Sequence, residues 1–353
     1  MGNYHEEIRK QEILHLRAIQ KELPPFLREF FAHISQKNST KTALGYAYDL
    51  SIFFRYLYEE HPVLGGVEYK ELKAKDLELI TVGELDIFLE YLSYYIRTDK
   101  ETPEQAKEMS NENSGKSRKI AAIRSMYKFF VKREKIEKNP AALIELPKIH
   151  EKTIVRLEVN EVVNFLDEVE TGTHLTKHQK HAHERHKTRD LALTTLFLGT
   201  GIRISECVGI NIEDIDFENN AVKIRRKGGK EAIVYFGSEV EIALKNYIAE
   251  RENLHIKRGN EEALFISAHG KRINPRSVQN LVKKYSQNIT PKKISPHKLR
   301  STFATNLYQE TGDIYLVAET IGHSDVNVTK KHYAAQQEEA KRKAVKFIKL
   351  RED

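Results

Sequence analysis

The stretch AVKIRRKGGKEAIVY, residues 221–235, decides what kind of fold this chain adopts. Two short runs, Ala221 to Ile224 and Ala232 to Tyr235, are rich in β-formers and flank a turn at Lys227, Gly228 and Gly229. That pattern predicts an antiparallel hairpin. Outside residues 214–236 the strong patterns are helical. Tyr46, Leu50, Phe53, Phe54 and Leu57 recur at helical spacing behind Ser39, Thr40 and Thr42, which suit a helix N-terminus. A further helix is expected from Val82 through Leu85, Phe88, Leu89 and Leu92, and the chain from Ser238 onward reads as helical. The expected class is mainly α with one small antiparallel sheet.

A length of 353 residues favours two cores over one. Lys and Arg number 58 against 51 Asp and Glu, a net charge of +7, and 40% of residues are hydrophobic. This describes a soluble, moderately basic globular protein, a balance that suits a polyanionic partner without demanding one. The single cysteine, Cys207, rules out an intramolecular disulfide framework and any multi-cysteine metal site. A reducing compartment, the cytoplasm, is therefore expected. The most apolar run, residues 191–202, is broken by threonines and by Gly199 and Gly201, and falls short of the ~20 residues a membrane span needs. The first residues are charged with no apolar segment, so neither signal nor anchor is expected, and no membrane association.

Residues 98–115 are polar, contain Pro103, and are expected to form an exposed loop or insertion. A basic helix is expected to follow, from Lys116 to Lys138, with Lys116, Arg118, Lys119 and Arg124 set around Ile120, Ile123, Met126, Tyr127 and Phe130. It is the DNA-facing candidate of the first half, the plain alternative being a solvated amphipathic face. Asn139 and Pro140 end it, and PKIHEKTIVR, residues 147–156, reads as a linker. The expected domains are 1–149 and 150–353. Residues 171–189 hold His174, His178, His181, His183 and His186. With no cysteine and no carboxylate-rich surround, a basic solvent-exposed loop is expected there rather than a metal site.

The second half carries TGIRISE at 200–206, Lys227 in the hairpin turn, HKLR at 297–300, IGHSD at 321–325, and Tyr333. Each motif alone is weak. Their order and spacing together resemble the tyrosine recombinase, or integrase, family, most closely its Xer-type and mobile-element branches. The resemblance implies an N-terminal helical core-binding domain of SAM-like type that contacts DNA, ending at Asn139 and Pro140 with Pro147 and Lys148 in the linker. It implies a C-terminal α-rich catalytic domain with a small antiparallel sheet. Residue by residue, Arg203 matches the first catalytic arginine, Lys227 the hairpin lysine, His297 and Arg300 the H-x-x-R pair, His323 the second histidine, and Tyr333 the nucleophile. His323 and Tyr333 lie ten positions apart where many members have nine, which would fall on His332. Ten also occurs in the family, and only a tyrosine forms the expected intermediate.

The implied activity is site-specific recombination through a covalent 3'-phosphotyrosine, in chromosome-dimer resolution or in mobile-element integration and excision. The implied assembly is a homotetramer on two double-stranded DNA sites, with no cofactor and no metal. The residue types suit the chemistry: two guanidiniums bind the nonbridging oxygens of a pentavalent phosphorus in a planar fork that an ammonium cannot supply. Lys227 is expected to protonate the leaving 5'-oxygen, His297 to take the phenol proton, and His323 to donate to a phosphate oxygen. Glu206 either orients Arg203 or forms a surface pair, and Cys207 is expected to pack inside. The tail after Tyr333, with Ala340, Val345, Phe347, Ile348 and Leu350, is expected to form a helix that docks on a neighbouring protomer. A type IB topoisomerase-like relaxing activity and a non-catalytic DNA-binding protein are the alternatives.

Overall fold

The structure, a computed structural model of the 353-residue chain, describes residues 4–99, 102–148, 155–226, 228–323 and 326. The chain divides into two compact units, Gly2–Glu151 and Lys152–Asp353.

The first unit is built from α1 (Tyr4–Lys21), α2 (Leu27–Lys37), α3 (Thr40–Glu60), α4 (Val82–Tyr91) and α5 (Asn113–Lys132). Local chemistry sets the helix starts. The Ser39 hydroxyl accepts the Thr42 N–H at 3.2 Å at the head of α3. Before α4, the Thr81 hydroxyl accepts from the Glu84 N–H at 3.3 Å while the Glu84 carboxylate accepts from the Thr81 N–H at 2.6 Å, a reciprocal capping box. Phe30, Phe31, Phe53, Phe54, Phe88 and Phe130 are buried together at the centre. Each such ring removed from water stabilises the fold by roughly 1.5–3 kcal/mol.

Two expectations need correction here. Residues 98–115 are not a loop: they contribute to an antiparallel hairpin of β1 (Tyr95–Asp99) and β2 (Thr102–Met109), with Tyr95 opposite Met109 and Ile96 opposite Glu108. Among the described side chains of the hairpin, buried Tyr95 and half-buried Met109 at its base meet the core, and the usual apolar alternation of a strand is missing from the sequence. The basic helix also stops at Lys132, six residues before Lys138, because Glu134 takes the left-handed conformation with φ 56°.

The second unit runs α6 (Val159–Thr171), α7 (Lys177–Glu184), α8 (Lys187–Thr200), α9 (Ile204–Cys207), β3 (Ile215–Asp216), β4 (Ala221–Arg225), β5 (Glu231–Tyr235), α10 (Ser238–Arg251), α11 (Pro275–Ser286), α12 (Pro296–Thr311) and α13 (Ile314–Ile321). Helix α8 is the central post. It packs against α6, α10 and α12, and it buries Leu193, Thr194, Thr195, Leu196 and Phe197 in succession, as a helix surrounded by others must. A Cβ at Gly199 would fall 2.5 Å from Val240 Cγ2, so glycine there lets α8 and α10 approach. The sheet has the order β3-β4-β5, and β4 pairs with β5 from Ala221 opposite Tyr235 to Arg225 opposite Glu231. That is the hairpin read from the sequence.

The helices expected after Ser238 form as α10, α11, α12 and α13, with an irregular segment between α10 and α11. Bridges pair Asn211 with Ala263 and Ile266 with Arg272, and Gly259 and Gly270 adopt φ of 85° and 70°. The buried Arg251 guanidinium serves this segment, donating to the carbonyls of Glu261 at 2.6 Å and Ala263 at 2.8 Å. The His-rich stretch is also no loop. Thr176 caps α7 by accepting from the Gln179 N–H, and His183 is buried with Nδ1 3.0 Å from the Tyr285 hydroxyl, which donates to Asp190 at 2.8 Å. His174 pairs instead with Glu168 at 2.8 Å. Among the described residues there is no group of three or more His, Cys, Asp or Glu side chains fit to hold a metal, and no helix long and apolar enough to cross a membrane.

Candidate active site

Helix α8 ends at Thr200 because Gly201 turns into the left-handed region with φ 62°, its N–H closing on the Phe197 carbonyl at 3.0 Å. A Cβ on Gly201 would overlap the Phe303 ring. The turn delivers Arg203 to the head of α9, where the Glu206 carboxylate accepts both its backbone N–H at 2.7 Å and its guanidinium at 2.8 Å. Glu206 is 3% exposed, so it orients Arg203 from inside the fold and is not a surface pair. Cys207 packs beside it, fully buried, and burial pushes its thiol well above the ordinary value.

Arg300 comes from α12, which Pro296 opens at the first helical position. Three residues earlier, His297 is exposed in the first turn of the same helix, while Arg300 is 4% exposed. The Arg300 guanidinium donates to the Gly201 carbonyl at 2.6 Å and to the Ile321 carbonyl. The Arg203 guanidinium donates to the next carbonyl, Gly322, at 2.8 Å. Both arginines therefore meet at the C-terminal turn of α13. Gly322 ends that helix with φ 65°, and the His323 N–H returns to the Ala318 carbonyl at 2.8 Å, which fixes where His323 leaves the helix. Carbonyls at a helix C-terminus lack intrahelical partners and carry partial negative charge, so guanidiniums are stabilised there.

The structure thus brings together Arg203, Arg300 and His323 through one turn and leaves His297 at the surface of α12. Lys227, Tyr333 and the tail after it lie outside the described residues, as does His332. The hairpin turn is framed by Arg226 and Gly228, with the Gly229 N–H donating to the Arg226 carbonyl at 3.1 Å and φ of 85° and 81° at the two glycines.

Sequence reasoning missed Arg226. Its guanidinium crosses to α13 and donates to the Thr320 carbonyl at 2.9 Å and the Glu319 carbonyl at 3.4 Å. The RR doublet was the available signal: on a strand the two arginines face opposite sides, so one of them faces the domain.

In the first unit the four basic candidates separate. Lys116 is partly exposed and donates to Ser93 Oγ at 2.7 Å, and Arg118 is exposed while pairing with the buried Asp49 carboxylate. Lys119 is buried, donates to Asn111 at 2.6 Å, and has its ammonium held below the ordinary value by burial. Arg124 donates to the carbonyls of Ala141 at 2.7 Å and Ile144 at 2.5 Å. Helical spacing explains Lys119, which shares a stripe with Ile123, Met126 and Phe130.

Residues 156–340 match the Phage integrase family. The chain is 31% identical over 331 residues to the tyrosine recombinase XerC of Caldanaerobacter subterraneus subsp. tengcongensis, covering 91% of this chain and 86% of that one. It is 27% identical over 343 residues to the tyrosine recombinase XerS of Lactococcus lactis subsp. cremoris, covering 91% and 94%. In fold it is similar to the site-specific recombinase XerH bound to a palindromic difH substrate in a post-cleavage complex, with a TM-score of 0.61 at 20% identity, covering 88% and 80%. A match over more than half of the chain, on a fold that gathers two arginines and a histidine at one turn, places this protein in the Phage integrase family, as a tyrosine recombinase that transfers DNA strands in site-specific recombination.

Proposed function

We propose that Arg203, Lys227, His297, Arg300, His323 and Tyr333 form one centre that breaks and remakes phosphodiester bonds in a double-stranded DNA recombination site. The observation that supports this most is the convergence of Arg203 and Arg300 on the carbonyls of Gly322 and Ile321, beside His323. A phosphate arriving at that turn meets two guanidiniums whose planes are already oriented by Glu206, Gly201 and the α13 carbonyls. Charge that builds on the nonbridging oxygens is then stabilised more in the transition state than in the ground state.

In the cleavage step the Tyr333 oxygen bonds to phosphorus as the bond to the 5'-oxygen breaks. His297 accepts the phenol proton, Lys227 gives a proton to the departing 5'-oxygen, and His323 donates to a nonbridging oxygen. The 3'-phosphotyrosine keeps the bond energy, so the 5'-hydroxyl of another strand reverses the step and no nucleotide is consumed.

Residues 1–149 act as the core DNA-binding domain and residues 150–353 as the catalytic domain. On α5, Lys116 and Arg118 are the phosphate contacts, whereas Lys119 and Arg124 serve binding by holding the fold. The working assembly is a homotetramer on two sites, joined through the tail after Tyr333, and it acts in the cytoplasm on a chromosome or an integrating element.

A nicked suicide half-site tests the centre. Tyr333→Phe is expected to retain binding and lose all covalent adduct, and His332→Phe to keep the adduct. An adduct in Tyr333→Phe, lost instead in His332→Phe, overturns the choice of nucleophile. Retarded mobility with no adduct from the unaltered protein indicates a binding protein, and relaxed supercoils without strand exchange indicate a topoisomerase.

A further inference from the structure

Four successive carbonyls close α13, those of Glu319, Thr320, Ile321 and Gly322, and three guanidiniums share them. Arg203 and Arg300 hold the last two and are accounted for by phosphate chemistry. Arg226 holds the first two, reaching 93 and 94 positions along the chain to do so. An arginine at a hairpin tip ordinarily points into solvent, as Arg225, Lys230 and Glu231 do here. Arg226 instead lies against Gly322 so closely that a Cβ there would sit 2.5 Å from its Cζ. Its Nε is buried and lacks a hydrogen-bond partner among the described residues. Leaving a buried donor unsatisfied is unfavourable, so the remaining contacts of this side chain must hold it in place against that cost.

Among its described residues the tip has little else to fix it. Within the hairpin, the Arg226 N–H donates to the Lys230 carbonyl at 2.7 Å and the Gly229 N–H to the Arg226 carbonyl at 3.1 Å, bonds that shape the turn but do not anchor it. Gly228, Gly229 and Lys230 are exposed. Among the described residues of the tip, the guanidinium of Arg226 supplies the hydrogen bonds to another element. A two-stranded end without packing is only marginally ordered in water, so this link governs where the tip sits.

We propose that Arg226 is a positioning residue for DNA cleavage: it fastens the end of the β4–β5 hairpin to the turn that Arg203 and Arg300 also hold. The residue it presents is its covalent neighbour, Lys227, so the proposal rests on the reading of Lys227 as the donor of the leaving-group proton. Without the fastening, the phosphate still meets Arg203, Arg300 and Tyr333, but protonation of the departing 5'-oxygen becomes the slow event.

The experiment compares single-turnover cleavage by the full chain of two nicked half-sites, one with the ordinary scissile 5'-oxygen and one with a bridging 5'-sulfur. Sulfur departs as a thiolate and needs no proton. Arg226→Ala is expected to slow the oxygen substrate by roughly 100-fold, within the range general acid catalysis supplies, and the sulfur substrate by no more than a few fold. Arg226→Lys, which keeps one cationic donor and spares the fold if Arg226→Ala does not, is expected to recover part of the oxygen rate. Lys227→Ala, run alongside, is expected to show the same sulfur rescue. Equal slowing of both substrates by Arg226→Ala, or no slowing at all, with Lys227→Ala rescued, overturns the role of Arg226. Failure of sulfur to rescue Lys227→Ala overturns the reading of Lys227 itself, and the role of Arg226 with it.

Discussion

Guanidinium groups donate to backbone carbonyls both from helix α5 and at the end of α13, and they do so to different ends. Arg124 reaches carbonyls 17 and 20 positions ahead of it and pins the segment that follows its own helix. At α13 the donors come from three separate elements, with Arg203 119 positions from its acceptor and Arg300 bridging the Gly201 carbonyl, 99 positions away, to that of Ile321. One cap is enough to end a helix. Three guanidiniums on four consecutive carbonyls concentrate positive charge beside His323, more than ending a helix requires.

The largest expected effect divides the two regions most sharply. Arg300→Ala should slow cleavage of the nicked half-site by roughly 1000-fold while site affinity changes little, because its contact strengthens as charge builds on the phosphate. Equal losses in binding and cleavage would break the distinction, showing that Arg300 also acts as a strut.

Next in size is the corresponding change in α5. Arg124→Ala should lower unfolding stability by about 1–3 kcal/mol, measured by denaturant titration, through its lost charged hydrogen bonds, and leave the cleavage chemistry of the folded protein intact. The surface cations should behave in the opposite way. Lys116→Ala and Arg118→Ala should each lower the salt slope of DNA binding by about 0.9 if each meets one phosphate, and Arg124→Ala should not. A reduced slope in Arg124→Ala would place that side chain on DNA after all.

The smallest effect moves the second unit without touching the α13 turn. Burial, then the nearby Lys284 ammonium, holds the His183 imidazole below its ordinary value. Below about pH 6.5 the unfolded chain therefore binds a proton that the folded chain refuses, and stability falls as pH falls, by at most about 1.4 kcal/mol per pH unit for this group, until His183 itself is protonated. Denaturation midpoints between about pH 7.5 and 5.5 should show this slope, made shallower by His183→Gln. His186, lowered by burial and then by Arg189, contributes in the same direction and keeps part of the slope. An unchanged slope in His183→Gln would assign the acid sensitivity elsewhere.

Much of the architecture was legible because it is local. Helix α3 begins at Ser39 and the β4–β5 hairpin lies where its β-runs and glycines place it, since caps and turns depend on residues three or four positions apart. The β1–β2 hairpin was not legible, because its order comes from Tyr95 meeting the core at the base and not from any alternation along its length. The break between α10 and α11 depends on a buried arginine that gathers carbonyls from a segment ten or more positions away.

By itself the sequence determined a mainly helical chain with one small hairpin in its second half, and the order of Arg203, Lys227, His297, Arg300, His323 and Tyr333 carried its resemblance to the tyrosine recombinases. Residue types carry that signal because a guanidinium fork suits a phosphate and a phenol can form a covalent intermediate wherever they stand in the fold. Tertiary structure alone decided that Lys119 is buried and Arg118 exposed, that Glu206 orients Arg203 from inside the fold, that His183 belongs to a hydrogen-bonded core, and that Arg226 joins the hairpin to α13. These are pairings between distant segments. A side chain's periodicity says which face it occupies, but the element that covers that face, and the carbonyl it meets there, exist only once the chain has folded.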